Sequence, residues 1–197
     1  VVSVPQSNAY SAGLGLFGGS IVVLYEDTTS GTYDLFAAVS DSGTDPWDTS
    51  DRVQSLGSQY GPTHLAWDGA RIVGVWNRHS SVAADANPWG AYSDDGGLSW
   101  SEPEMISAST AFSVLETQVL STVVGFYGLY ADYAGQAIYY SRLLDDAWTA
   151  DSSPRPAASL HSAASSPRHV FAAEVGNASA VVVHRAPLPE FIAIAEP

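Results

Sequence analysis

Four pairs of polar residues recur at near-equal intervals along this chain: Glu26–Asp27, Arg78–His79, Asp132–Tyr133 and His184–Arg185. Each sits at or beside the end of an apolar run, where a loop begins. Two carboxylates on either side of a glycosidic bond can act as a general acid and as a base or nucleophile. Glu26, Asp27 and Asp132 are candidates for such a pair, and Glu190 is a fourth. Tyr60 and Trp89 are flat and apolar, as a stacking platform for a sugar's C–H face must be, and the charged neighbours suit its hydroxyls. The residues Asp27, Arg78, Asp132 and Arg185 alternate in sign, which also describes exposed ion pairs, each worth little. The five histidines, at 64, 79, 161, 169 and 184, lack metal-ligand spacing. No metal or other cofactor is expected, beyond a structural Ca²⁺ or Na⁺ that acidic residues near an axis can hold.

A different chemistry is written in "SDDGGLSW", residues 93–100. Asp95 can accept backbone N–H bonds across a tight turn. Gly97 can take the positive φ such a turn needs. Ser93 and Ser99 supply hydroxyls, and Trp100 anchors the strand that follows. Two more windows run from Ser to Trp over the same length, "SDSGTDPW" from Ser40 and "SRLLDDAW" from Ser141. They read as degenerate copies of one stapled hairpin.

These residues need elements to carry them. Each window follows an alternating run ("DLFAAVS", "PWGAYS", "QAIYYS"), the pattern of a half-buried strand. Upstream lie apolar runs, "IVVLYED", "IVGVWNR", "FYGLYAD" and "SAVVVHR", each after a turn signal. Before those turns come "AGLGLF", "PTHLAW", "FSVLETQ" and "HVFAAEV", read as inner strands. The repeat is therefore a four-stranded antiparallel unit. The expected architecture is all-β, a small propeller of four blades over residues 8–55, 56–107, 108–158 and 159–197. The spare strand "VVSVPQ", residues 1–6, would complete the last blade and remove the raw edges of an open ring.

"SDDGGLSW" resembles the Asp box, or BNR repeat, of the sialidase-like propellers, matching at Ser93, Asp95, Gly97, Ser99 and Trp100. The resemblance implies that these residues are structural and lie on the face opposite the catalytic site. It also implies six blades, an arginine triad, a Tyr–Glu nucleophile pair and an Asp acid/base. Here the chain has room for four blades. The string nearest the family's arginine motif, "ARIV" at Arg71, lacks its proline. The expected function is thus a non-catalytic recognition propeller that binds a glycan or a surface protein. The alternatives are a sialidase-like glycoside hydrolase, or a fragment of one, and a structural subunit of an assembly.

Composition narrows the partners. The formal net charge is −14, with seven arginines and no lysine in 197 residues. Nucleic acid is excluded as a natural partner, since phosphates need a basic surface. No apolar run is long enough to suggest a membrane span. Many aspartates without lysine suit a protein kept soluble in concentrated salt. The expected setting is extracellular or on the surface of a cell or particle. Val1 in place of a methionine suggests a processed or excised chain, and "NAS" at Asn177 fits a glycosylation acceptor in a suitable host.

Overall fold

The computed structural model describes residues 9–29, 31, 33–41, 46–55, 63–78, 87–107, 114–132, 137–149, 155–156, 162–166, 169–175 and 181–187. Those residues form seventeen strands in four antiparallel sheets. The spare strand expected at 1–6 lies outside them.

The first sheet is built from β1 (Ala9–Phe17), β2 (Ser20–Asp27) and β3 (Asp34–Ser40). Its outer edge is a broken strand: β4 (Asp48–Thr49) and β5 (Gln54–Ser55) pair with opposite ends of β3. The second runs β6 (His64–Trp67), β7 (Ile72–Arg78), β8 (Asn87–Ser93) and β9 (Glu104–Met105). The third repeats the order with β10 (Val114–Thr122), β11 (Gly125–Asp132) and β12 (Ala137–Leu144). Its outer edge is β13 (Ala147–Trp148) and β14 (Arg155–Pro156). These three sheets resemble propeller blades. Strands β1, β6 and β10 stand side by side as the inner strands.

The fourth sheet corrects the sequence reading. Its strands are β15 (Ser162–Ser166), β16 (His169–Val175) and β17 (Val181–Pro187). The inner strand of this sheet is "SAASS", β15, which lies beside β10. "HVFAAEV" is therefore the central strand of that sheet, and the run containing His184 and Arg185 is its third strand. Serine and alanine carry no readable alternation, so pairing with β16 supplied what periodicity did not.

The second sheet is apolar on both faces because it is sandwiched between the first and the third. Leu24 and Leu35 of the first sheet pack with Trp76 and Ala91 of the second, with Leu65 and Trp100 alongside. Val73, Val75 and Ile106 of the second sheet pack with Val119, Phe126 and Tyr130 of the third, alongside Trp148. Glycines set the closeness of two of these contacts. A Cβ on Gly90 would lie 2.9 Å from the Trp148 ring, and one on Gly128 would lie 2.7 Å from Ile106 Cδ1. Polar bonds add to the fit: Thr63 donates to the Leu24 carbonyl at 3.1 Å, and Thr117 donates to Asn77 Oδ1. In the β10–β11 and β6–β7 registers Thr117 lies opposite Tyr130, while Thr63 immediately precedes the first β6 pair.

Candidate functional site

The sheets share two unlike ends. At one, the β1–β2, β6–β7 and β10–β11 turns meet the turns that leave the third strands. At the other, the second strands end, and β3 and β8 begin. We call the second the mouth.

The turn end carries "SDDGGLSW", and its hydrogen bonds are those a stapled turn requires. Ser99 donates its backbone N–H to Asp95 Oδ1 at 2.8 Å and its hydroxyl to Oδ2 at 2.5 Å. Ser93 donates to Asp95 Oδ1 and accepts from the Gly97 N–H, both at 2.8 Å. Trp100 Nε1 donates to the Gly97 carbonyl at 3.0 Å. Burial would raise the Asp95 pKa, but the bonds from Ser99, Ser93 and Leu98 outweigh it and hold the carboxyl below its ordinary value. Gly97 has φ of +101°, and a Cβ there would meet Val22 at 3.0 Å and Val39 at 3.2 Å. The turn of the second sheet is thus wedged against the first.

"SRLLDDAW" is not a copy of that turn. Leu144 and Ala147 pair directly around Asp145 and Asp146, whose φ values are +49° and +67°. This is the geometry of a tight two-residue hairpin, in which both central residues take positive φ. Only the position of the tryptophan is kept.

Arg71, in "ARIV", also lies at the turn end. Its Nε and Nη2 reach the two Asp94 oxygens at 2.6 and 2.8 Å, and its Nη1 reaches Asp146 at 2.5 Å. Its guanidinium stacks 3.9 Å from the Tyr92 ring centroid. The bond to Asp94 is the chief reason the Arg71 pKa is raised, and the same bond lowers that of Asp94. Arg71 straps the second sheet to the third and is not part of the mouth.

At the mouth, Glu26, Asp27 and Asp132 are 1%, 8% and 6% exposed. A buried charge costs several kcal/mol unless it is paired and hydrogen-bonded. Asp27 accepts the Thr29 N–H at 2.8 Å and the Thr29 hydroxyl at 2.6 Å, which caps the loop leaving β2. Directly across the ladder from Asp27 stands Asp34, also buried, with Arg52 3.6 Å away. Like charges opposed on neighbouring strands repel, so these donors are needed to keep both carboxylates in place. Arg78, at the end of β7, lies over the Trp89 ring of β8, 5.3 Å from its centroid. Such a contact braces the indole and leaves the cation at its face. Asn77, wholly buried, accepts from Thr117, and its Nδ2 finds no acceptor among the described residues. His64, on β6, is held below its ordinary pKa by burial and is neutral at pH 7.

Of the ten candidate ligand-binding residues, Glu26, Asp27, Arg78, Trp89 and Asp132 gather at this end. Tyr60, His79 and Tyr133 lie outside the described residues. His184 and Arg185 do not belong with the second-strand ends. Within β17 they pair with Ala172 and Phe171 of β16, in the middle of the ladder. Arg185 therefore does not share the second-strand position of Asp27, Arg78 and Asp132. Sequence reading passed over Asp34, Asn77 and Thr117. The one available signal was that Asp34 opens the strand facing Asp27. Among the described residues no group of His, Cys, Asp or Glu is arranged to hold a metal ion, and no helix is long and apolar enough to cross a membrane.

No family model matches the chain, and no curated protein sequence matches it. Its fold does have counterparts among solved structures. It is similar to the sialidase of Trypanosoma rangeli, with a TM-score of 0.55 at 12% identity over 92% of this chain and 36% of that one. It is similar to the β-fructofuranosidase of Schwanniomyces occidentalis, with a TM-score of 0.55 at 11% identity over 94% of this chain and 44% of that one. The α-L-arabinofuranosidase of Podospora anserina gives 0.51 at 10% identity over 94% of this chain and 65% of that one. The chain thus spans less than half of the first two enzymes and about two thirds of the third. At such identities the likeness is one of fold: this chain shares the all-β, propeller-like architecture found in several glycosidases.

Proposed function

We propose that the mouth is a glycoside site and that the chain is the propeller of a glycoside-hydrolase-like protein. The observation that carries this reading is the burial of Glu26, Asp27 and Asp132 at one end, beside Arg78 and Trp89. Glycoside cleavage needs two carboxyl groups, one as general acid and one as base or nucleophile. Glu26 or Asp132 supplies the acid, and the other carboxylates supply the base or nucleophile. Trp89 offers the sugar a flat apolar face. The likeness of fold to several glycosidases supports the same reading. It favours hydrolysis over the purely recognitive role expected from the missing arginine motif.

A panel of fluorogenic glycosides, sialosides included, tests this. Turnover of at least one substrate is expected, reduced at least 100-fold in Glu26→Gln or Asp132→Asn. Saturable quenching of tryptophan fluorescence by a glycan without turnover would support the recognition module. Neither turnover nor binding would overturn both readings.

The same reading takes the four sheets as a ring latched by residues 1–6 on the last sheet, in an extracellular or particle-surface protein. The sequential neighbours β1, β6, β10 and β15 support the ring. Deleting residues 1–6 should then abolish cooperative unfolding; an unchanged melting temperature would remove the latch.

A further inference from the structure

Among the described residues, six large apolar side chains are well exposed: Leu14, Leu16, Trp67, Leu98, Val123 and Leu144. None lies at the mouth. Leu16 and Leu14 are on the half of β1 that runs into the β1–β2 turn, 72% and 66% exposed. Trp67 ends β6, and Val123 is in the β10–β11 turn, 66% exposed. Leu98 and Leu144 are in or beside the turns that leave β8 and β12. One end of the molecule therefore holds all of them. Apolar residues scattered singly over a surface need no explanation; their collection at one end does.

The same end is strongly acidic. Asp68, Asp94, Asp95, Asp145 and Asp146 are exposed there, and Arg71 answers only Asp94 and Asp146. Between the second and third sheets it opens into a cleft of about 170 Å³. Gly90, Ala91, Leu143 and Trp148 give the cleft an apolar lining, and Glu102, Glu104 and Asp146 give it carboxylates. An aliphatic stem with a cationic head fits that lining, which is the shape of a lysine or arginine side chain.

We propose that the turn end is a docking surface for a protein partner that presents apolar residues flanked by lysines or arginines. Charge selects the occupant. A second copy of this chain would bring the same acidic rim, and its sequence holds no lysine and seven arginines against twenty-one acids. An anionic lipid surface would be repelled for the same reason. Opposite charge on the partner, by contrast, steers encounter and fixes register. The surface is separate from the mouth, so it stands whether or not the mouth hydrolyses glycosides.

The test uses the full chain and three probes: a labelled amphipathic peptide of leucine and lysine, its leucine–glutamate counterpart, and vesicles containing phosphatidylserine. By fluorescence anisotropy the lysine peptide should bind at least 10-fold tighter than the glutamate peptide, and weaken as salt rises. Leu16→Ser combined with Val123→Ser should weaken it at least 10-fold, as should Glu102→Gln combined with Glu104→Gln. Asp51→Asn, away from the turn end, should leave it unchanged. Circular dichroism of each variant confirms folding. Equal affinity for both peptides, insensitivity to the paired variants, preferential vesicle binding, or self-association that Leu16→Ser abolishes would each overturn the proposal.

Discussion

The two ends of the molecule break the usual partition of residues in opposite ways. At the mouth, carboxylates and amides that ordinarily face water are buried. At the turn end, leucines and a valine that ordinarily face the core are exposed. Between them the sheets follow the rule closely, with Trp76, Tyr130, Leu24 and Leu35 fully enclosed. A sequence that is consistent through its middle and inconsistent at both ends marks the ends as places where something besides stability was selected. The inconsistency differs in kind. Buried polar groups at the mouth suit the chemistry on a small molecule proposed above. Exposed apolar groups at the turn end suit a large one.

Substitutions should separate these roles, with the largest effect at the mouth. Asp132→Asn removes a group assigned to acid–base work, so hydrolysis should fall roughly 10²–10⁴-fold while the melting temperature moves little. A large loss of stability with activity retained would reverse the assignment. Gly97→Val tests the opposite end. Its positive φ and its contact with Val22 and Val39 should cost about 3 kcal/mol or more in urea unfolding. Residual turnover per folded molecule should be unchanged. Asp95→Ala removes the acceptor for Ser93 and Ser99 and should cost about 1–3 kcal/mol, again without changing glycan affinity. A stable Asp95→Ala that no longer binds glycan would put the sugar site at the wrong end.

Acid should act on the two regions in turn. The folded-state pKa of His64 lies below its unfolded value near 6.5, so the unfolded chain binds the proton more readily. Stability should therefore fall as pH drops through and below 6.5, and His64→Gln should flatten that part of a melting curve against pH. The carboxyls of Asp94 and Asp95 are also lowered, but their stabilising contribution is present above the unfolded carboxylate value near 3.9 and is lost only at lower pH. A melting temperature that is flat from pH 7 to 5 would contradict the burial of His64. Salt should give the smallest change. The Arg71 strap is worth about 1 kcal/mol or less, and screening weakens it. Screening also relieves the self-repulsion of a chain at −14. The melting temperature should rise modestly between 0.1 and 1 M chloride, where the Debye length drops from about 10 to about 3 Å, and Arg71→Gln should steepen the rise.

What could be read from the sequence was whatever local spacing encodes. Alternation located the three well-formed sheets, and "SDDGGLSW" specified its own hydrogen bonds, because every partner lies within eight residues. Asp27, Arg78, Trp89 and Asp132 were legible as a group because each falls near a strand end. Asp34, Asn77 and Thr117 were not. A single polar residue in an alternating strand looks solvent-facing, and only the neighbouring sheet decides otherwise. The fourth unit was misregistered for a related reason: Ser162–Ser166 is a strand by virtue of its partner. "SRLLDDAW" misled because a two-residue turn and a longer stapled turn can place a tryptophan at the same spacing.

The direction in which the sheets lean on one another has a consequence for how the chain is made. Gly97 is wedged against Val22 and Val39, Thr63 bonds to Leu24, Thr117 bonds to Asn77, and Trp148 lies against Gly90. In each case the later segment rests on the earlier one. A ribosome emitting about 5–20 residues per second delivers each segment after its support has had seconds to settle, while hairpins close in about 1–10 µs. Synthesis order and packing order then coincide. Each of these later segments meets a support that is already formed.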